Sequence, residues 1–131
     1  MLRISTSLPD EIETLIRHTI GCGIAVHRAL GPGLLETIYS RALALELDAA
    51  GIPFEREKAD AGTYRGARLY EQRLDFVVGG AIVLEIKAVE HLVPIHEVQL
   101  VNYMRVSHLR AGLLMNFNEV VLKDGLKRRV V

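Results

Sequence analysis

The spacing of apolar residues predicts two helices in the first third of the chain. Ser7 is expected to cap a helix that ends near Leu30, because apolar residues recur there every three or four positions. GPG (residues 31–33) interrupts this pattern, and Pro32 is expected to begin a second helix, which Gly51 ends. The expected apolar stripe of the second helix consists of Leu35, Ile38, Ala42, Leu45 and Ala49.

Between Pro53 and Pro94 the pattern changes to short segments that end at turn residues. Apolar and polar residues alternate within these segments, which predicts an antiparallel meander. Turns are expected at Arg65-Gly66 and at Gly79-Gly80. The expected strand segments are residues 54–59, 63–64, 68–78 and 81–88.

The last third of the chain predicts a helix, a buried strand and a hairpin. Pro94 is expected to begin a helix that runs to about Ser107, and GLLMNF (residues 112–117) fits a buried strand. Asp124-Gly125 is a hairpin signal, so two short strands are expected around it. We therefore expect one α/β domain, residues 1–131, with helices before and after its sheet.

The most apolar stretch, LDFVVGGAIVLEIKAVE (residues 74–90), is interrupted by three charged residues before it ends at Glu90. Glu85 and Lys87 lie two residues apart and therefore share one face of a strand. Asp75 lies on the preceding strand, and Arg73 is expected on the same face. If Asp75 also faces that side, its carboxylate and that of Glu85 are close enough to hold one ion, with Cα atoms about 7–8 Å apart.

The length of the loop at Gly79-Gly80 decides on which face Asp75 lies. A two-residue loop would put its carboxylate on the apolar face. We prefer the three-residue loop Val78-Gly79-Gly80, whose last residue is left-handed and which makes Asp75 a diagonal neighbour of Glu85. The alternative loop, Gly79-Gly80-Ala81, needs a left-handed alanine and places the two carboxylates directly opposite each other.

Two carboxylates followed by a lysine suit metal-assisted phosphodiester hydrolysis. Mg²⁺ usually binds one or two carboxylates and leaves its other positions to water and substrate phosphate. The ammonium of Lys87 would stabilise attacking hydroxide and the charge that develops on phosphorus. A cross-strand ion pair on a solvated face has the same spacing. Helices that cover the face favour the metal site, because unpaired buried charges are unfavourable.

Six segments, spread in order over most of the chain, carry a family resemblance. They are GPGLLETIY (31–39), RLDFVV (73–78), VLEIKAVE (83–90), HEVQLVNYM (96–104), GLLMNF (112–117) and KDGLKRRVV (123–131). Together they resemble the GxxExxY protein family, a branch of the PD-(D/E)XK nuclease-like superfamily. The resemblance implies an α/β fold with a restriction-endonuclease-like αβββαβ core, an extra N-terminal helix and a short C-terminal hairpin.

The resemblance also implies a nuclease that depends on Mg²⁺ or Mn²⁺ and acts on DNA. Asp75 and Glu85 match the acidic pair of the superfamily, and Lys87 matches its lysine. Glu36 would complete the acidic cluster, although an acidic residue in a first helical turn also suits the helix dipole. The expected metal ligands are Asp75, Glu85 and Glu36; the expected catalytic residues are Glu36, Asp75, Glu85, Lys87 and Gln99; the expected substrate-binding residues are Tyr39, Tyr103 and Arg105.

Charge leaves two interpretations of the basic residues open. Sixteen Lys and Arg balance sixteen Asp and Glu, so nucleic acid would have to be held by a local patch. The basic concentrations are either a solvated sheet edge or a surface that binds phosphate. They consist of Arg65, Arg68, Lys123, Lys127, Arg128 and Arg129.

The remaining expectations concern the class of protein and its location. An interaction module that keeps the nuclease fold without catalysis is the alternative to an enzyme, and the sequence leaves a homodimer open. Cys22 is the single cysteine, and no apolar run reaches the length of a membrane span. These features predict a soluble cytoplasmic protein without disulfides and without a membrane partner.

Overall fold

The structure is a computed structural model that describes residues 7–131. Its five strands form one mixed sheet in the order β1-β2-β3-β4-β5, in which only β3 and β4 run parallel. The elements are α1 (Asp10–Leu30), α2 (Glu36–Ala49), β1 (Phe54–Tyr64), β2 (Ala67–Val78), β3 (Ile82–Lys87), α3 (Pro94–Ser107), β4 (Ala111–Asn116), a 3₁₀ helix (Leu122–Gly125) and β5 (Leu126–Val130). The predicted α/β class and the αβββαβ core are confirmed. Within the described residues, no helix has both the length and the apolar character needed to cross a bilayer.

Helices cover both faces of the sheet. Helices α1 and α2 pack on one face against side chains such as Phe76 and Leu84, and α3 packs on the other against Val77 and Val83. The whole of β3 except its last residue is buried. A central strand that is covered on both faces needs a nearly continuous apolar run, which explains why β3 reads IVLEIK. Glu85 is the one charged residue among the buried positions of β3.

The predicted ends of α1 and α3 are confirmed, but both N-terminal helices start later than expected. Pro9 occupies the N-cap position of α1, so the prediction that Ser7 caps this helix is wrong. Helix α2 begins at Glu36 and not at Pro32. Gly31 and Gly33 have φ values of 69° and 97°, which hold the connecting loop outside the helical conformation.

The apolar stripe predicted for α2 is wrong. Leu35, which precedes the helix, and Leu45 are each 71% exposed, whereas Tyr39, Leu43 and Leu47 are fully buried. Apolar residues occur on both sides of this helix, so spacing alone does not identify the buried side. The side that carries Tyr39 packs inward, where its ring stacks on another aromatic residue of the core.

The loop between β2 and β3 has three residues, in the alternative register and not in the preferred one. Val78 pairs with Ile82, so the loop is Gly79-Gly80-Ala81. Gly79 and Gly80 have φ values of 59° and 64°, whereas a left-handed Ala81 was expected and is not found. A hydrogen bond from Ala81 N–H to Val78 C=O closes the glycine turn, and Ala81 is then one extra residue before the strand.

The pair of short strands predicted around Asp124-Gly125 is also wrong. Both residues belong to the 3₁₀ helix, and the single strand that follows, β5, pairs antiparallel with β4. Gly125 is needed for space and not for a left-handed turn. A Cβ atom at this position would lie 2.6 Å from the backbone oxygen of Asn116.

Gly125→Ala should therefore destabilise the fold by about 1–3 kcal/mol, because a backbone oxygen cannot move aside as a side chain can. Gly21→Ala is the matched control. Gly21 is exposed in α1 and a Cβ there has no other atom within 4 Å, so alanine should be neutral or stabilising by about 0.5–1 kcal/mol. Urea unfolding of both variants measures the difference. A Gly125→Ala variant as stable as the wild type would contradict the close approach.

Candidate active site

The acidic residues of β2 and β3 meet where regular strand pairing ends. Backbone pairing between β2 and β3 stops at Phe76 and Leu84, one step before Asp75 and Glu85. From there the side chains bond to the opposite backbone: Asp75 N–H donates to Glu85 Oε1 at 3.1 Å, and Ile86 N–H donates to Asp75 Oδ2 at 2.8 Å. These reciprocal bonds hold the two carboxyl groups side by side.

An irregularity in β1 and β2 makes this arrangement possible. Arg56 pairs with Phe76 and Lys58 pairs with Leu74, but the pair between them, Glu57 with Asp75, is missing, and Glu57 has a φ of 50°. Strict alternation would place Leu74 and Phe76 on one face of the sheet. Instead Leu74 packs with the α3 layer and Phe76 with the opposite layer. The strand therefore turns at Asp75, whose N–H becomes available to Glu85.

Burial gives Glu85 unusual acid–base behaviour. Its side chain is only 5% exposed, and this burial, reinforced by the negative charge of Asp75, raises the pKa of Glu85 to about 9. The positive charge of Lys87 opposes the shift. At neutral pH the two carboxyl groups therefore keep a proton when no cation is bound.

Glu36, Lys87 and Tyr103 are electrostatic neighbours of this pair. Glu36 as a whole residue is exposed, but its carboxyl is partly buried. This burial and the negative charge of Asp75 raise the pKa of Glu36, and the positive charge of Lys87 opposes the rise. Burial and the charges of Glu85 and Asp75 raise the pKa of the Tyr103 phenol. Helix α2, strand β3 and helix α3 thus each bring one of the predicted residues towards the acidic pair.

Tyr39 holds the loop that leads to Glu36. Its hydroxyl donates to the carbonyl of Gly31 at 2.6 Å and accepts from Leu34 N–H at 3.0 Å, and its ring stacks on Phe117 at 4.8 Å. The side chain is completely buried. The expected role of Tyr39 in substrate binding does not fit this arrangement, because both hydrogen-bonding directions of the hydroxyl are used within the loop.

Asn116 fixes the chain after Lys87 and was not identified from the sequence. Its buried amide accepts from Val89 N–H at 3.0 Å and donates to Val89 C=O at 2.9 Å. Phe117 N–H also donates to the carbonyl of Lys87. The available signal was a polar residue at the end of the apolar run GLLMNF, where a buried amide needs partners.

Two predicted site residues, Gln99 and Arg105, lie in a groove on the exposed side of α3. Both are exposed on α3 and line a groove along that helix together with Val98 and Asn102. Tyr103 is the residue of α3 whose pKa responds to the acidic pair. A catalytic role for Gln99 and substrate binding by Arg105 stay predictions.

Several of the predicted basic residues form ion pairs. Arg68 pairs with Glu71 at 2.7 Å, and Arg73, expected beside the acidic pair, lies 4.0 Å from the same carboxylate. On the edge strand β5, Arg128 pairs with Glu13 and Arg129 with Glu97. These contacts favour the interpretation of a solvated, charged sheet edge.

The donor atoms of the acidic pair fit one hard cation. Asp75 and Glu85 each use one carboxylate oxygen for a backbone N–H, so the other oxygen can bind an ion, and Mg²⁺ needs only one or two carboxylates. The predicted set of three ligands is not formed in this conformation. Among residues 7–131 no three His, Cys, Asp or Glu side chains are arranged to hold a metal. The acidic neighbour that shifts the pKa of Glu36 is Asp75 and not Glu85.

A mixed sheet between helical layers, with a buried acidic pair and a lysine two residues further on, defines a protein with a restriction-endonuclease-like fold. The chain belongs to the PD-(D/E)XK nuclease superfamily, whose family model matches residues 13–129. Comparisons with curated proteins and with solved structures gave no significant match. Membership supports a nuclease-type function with nucleic acid as substrate, and nucleases of this superfamily generally use divalent metals.

Glu85→Gln should stabilise the protein, and the gain should grow with pH. Between the ordinary value of 4.5 and about 9, folded Glu85 holds a proton that the unfolded chain has released, so wild-type stability falls as pH rises through this window. Glutamine removes this loss, on the order of 1–3 kcal/mol at the upper end. Melting temperatures measured across the window test this, with exposed Asp48→Asn as the control. A difference between Glu85→Gln and wild type that is constant with pH would contradict the raised pKa.

Proposed function

We propose that the protein is a divalent-metal-dependent nuclease that hydrolyses phosphodiester bonds, with DNA as its substrate. The observation that carries this proposal is the reciprocal bonding of Asp75 and Glu85, with Lys87 two residues further on, in a chain of the PD-(D/E)XK nuclease superfamily. A buried pair of carboxyl groups with a raised pKa is unfavourable for folding alone. Binding of a cation would neutralise the pair and offset this unfavourable contribution.

Each residue of the site has a proposed role. Asp75 and Glu85 hold Mg²⁺ or Mn²⁺, which would polarise the phosphoryl group and acidify a bound water. The ammonium of Lys87, whose charge already acts on Glu85 and Glu36, stabilises negative charge that develops at phosphorus. Glu36 is a further ligand or an orienting residue on the α2 side of the site, and Tyr103 lies on the α3 side.

We also propose that the chain is a member of the GxxExxY branch of the superfamily. The bonds of Tyr39 support this assignment, since its hydroxyl ties the loop residues Gly31 and Leu34 together just before Glu36. Gly33, Glu36 and Tyr39 have the spacing of this motif and act as one unit: the left-handed Gly33 permits the loop, Tyr39 fixes it, and Glu36 is presented to the site.

Mg²⁺ or Mn²⁺ should raise the melting temperature of the wild-type protein. An ion that binds only the folded state stabilises it by about 2.7 kcal/mol at a concentration 100-fold above its Kd. The double variant Asp75→Asn/Glu85→Gln lacks both ligands and should lose this shift, while Asp48→Asn should keep it. Thermal unfolding with and without the ion measures the effect. An unchanged shift in the double variant would place the ion elsewhere.

Lys87→Gln should reduce kcat about 100-fold or more with little change in DNA binding, because it removes one charge that acts mainly on the transition state. Cleavage of matched single-stranded and double-stranded DNA, and of RNA, in Mg²⁺ and in Mn²⁺ provides the measurement. Cleavage confined to RNA would correct the substrate. Binding without cleavage under all of these conditions would favour the interaction module instead.

A further inference from the structure

A cleft of about 370 Å³ opens beside the acidic pair, between α2 and the strands β1 and β2. Its lining combines carboxylates near the proposed cation site with hydroxyl and guanidinium groups. The lining residues are Glu36, Thr37, Ser40, Arg41, Arg56, Glu57 and Asp75. Only Glu36 and Asp75 of this set have a role in the proposed hydrolysis, so the remaining residues need a separate explanation.

One face of α2 contributes three polar side chains to this cleft. Ser40 and Arg41 lie three and four positions after Thr37, a spacing that places both beside Thr37 on one side of the helix. Thr37 and Arg41 are exposed. Besides the carboxylate of Glu36, the face that α2 turns towards the cleft therefore presents two hydroxyl groups and a guanidinium, all of which can donate hydrogen bonds to an anion.

Arg56 reaches the same cleft from β1 and is held there by uncharged groups. Its Nη2 donates to Ser40 Oγ at 3.0 Å, and its guanidinium carbon lies 5.5 Å from the centre of the Phe76 ring. A hydroxyl and an aromatic face fix the orientation of the guanidinium without neutralising its charge. Arg56 is thus positioned in advance, with most of its hydrogen-bond donors unused.

Several arginines among residues 7–131 have no carboxylate within 4.0 Å, and Arg41 and Arg56 are the two of them that line this cleft. Arg68, Arg128 and Arg129 each have a carboxylate within 4.0 Å. In the part of the chain that the structure describes, Arg41 and Arg56 have no such partner, although carboxylates line the same cleft. A surface that keeps two unpaired guanidinium groups beside a catalytic pair suits a polyanion and not a neutral ligand.

We propose that Arg41 and Arg56 bind a phosphate of the nucleic-acid backbone next to the phosphate held at the acidic pair. The guanidinium fork matches the geometry of phosphate oxygens, and Thr37 can supply a further donor. This inference rests on the proposed function only in requiring that nucleic acid crosses the cleft.

Binding of labelled DNA, measured by fluorescence anisotropy in EDTA over a series of salt concentrations, tests the inference without cleavage. Arg41→Gln and Arg56→Gln should each weaken binding roughly tenfold. Each should also reduce the slope of log K against log salt by about 0.9 for duplex DNA or about 0.7 for a single strand, since one phosphate contact is lost. Arg28→Gln, an exposed arginine at the end of α1 that lines a different cavity, should change neither.

A conservative variant separates charge from packing. Arg56→Lys keeps the positive charge and should keep the salt slope, whereas a loss of slope in this variant and in Arg56→Gln alike would show that packing on Phe76 is responsible. Unchanged slopes in Arg41→Gln and Arg56→Gln, or an equal loss in Arg28→Gln, would overturn the inference. Melting temperatures confirm that each variant is folded.

The same experiment distinguishes this inference from the nuclease proposal. Loss of binding in the two glutamine variants, without any metal-dependent cleavage by the wild type, would keep the phosphate site and reject the enzyme. Metal-dependent cleavage with unaltered salt slopes would reject the phosphate site and keep the enzyme.

Discussion

Two adjacent buried carboxyl groups cannot both be ionised unless a cation binds between them; without a cation the pair keeps a proton. The arrangement of Asp75 and Glu85 follows from this constraint. Each carboxylate accepts a hydrogen bond from the backbone of the opposite strand, and the pair keeps a proton at neutral pH when no cation is present. The missing strand pair at Glu57 and the turn of β2 at Asp75 are the backbone irregularities that permit these bonds. Regular pairing would have used the same N–H groups within the sheet.

The surrounding elements either desolvate this pair or fix the groups next to it. Helix α3 covers the sheet face of Val83, two residues before Glu85, and the charges of the pair reach Tyr103. Asn116 ties down the chain that follows Lys87, and Tyr39 ties down the loop before Glu36. Burial strengthens electrostatic interactions and also makes an unsatisfied charge more unfavourable. The proposed catalytic region is thus one where burial of the acidic pair is unfavourable for the fold itself.

Local signals in the sequence were sufficient for most of the elements. Pro94, the Arg65-Gly66 turn and the apolar run before Phe117 have local causes, and the structure confirms the helix, turn and strand that they predict. The meeting of the two carboxylates was predicted from alternation and a three-residue loop, whereas the turn of β2 at Asp75, which puts Leu74 and Phe76 on opposite faces, was not. The buried side of α2 could not be predicted, because its choice depends on packing against Phe117, far away in the sequence. The same limit applies to the cleft with Arg41 and Arg56, which three separate elements build together.

The acidic pair and its cover differ in how far apart their residues lie along the chain. Asp75 and Glu85 are ten residues apart and belong to consecutive strands, so their hydrogen bonds can form early, as those of a hairpin do. The parallel pairing of β3 with β4 requires the whole segment of α3 to fold back first, which is a slower, non-local step. From this topology we expect the two carboxyl groups to be brought together while still hydrated and to lose their water only when the sheet is completed. In that order of events, the unfavourable electrostatic energy of the site arises in the last stage of folding and is released in the first stage of unfolding.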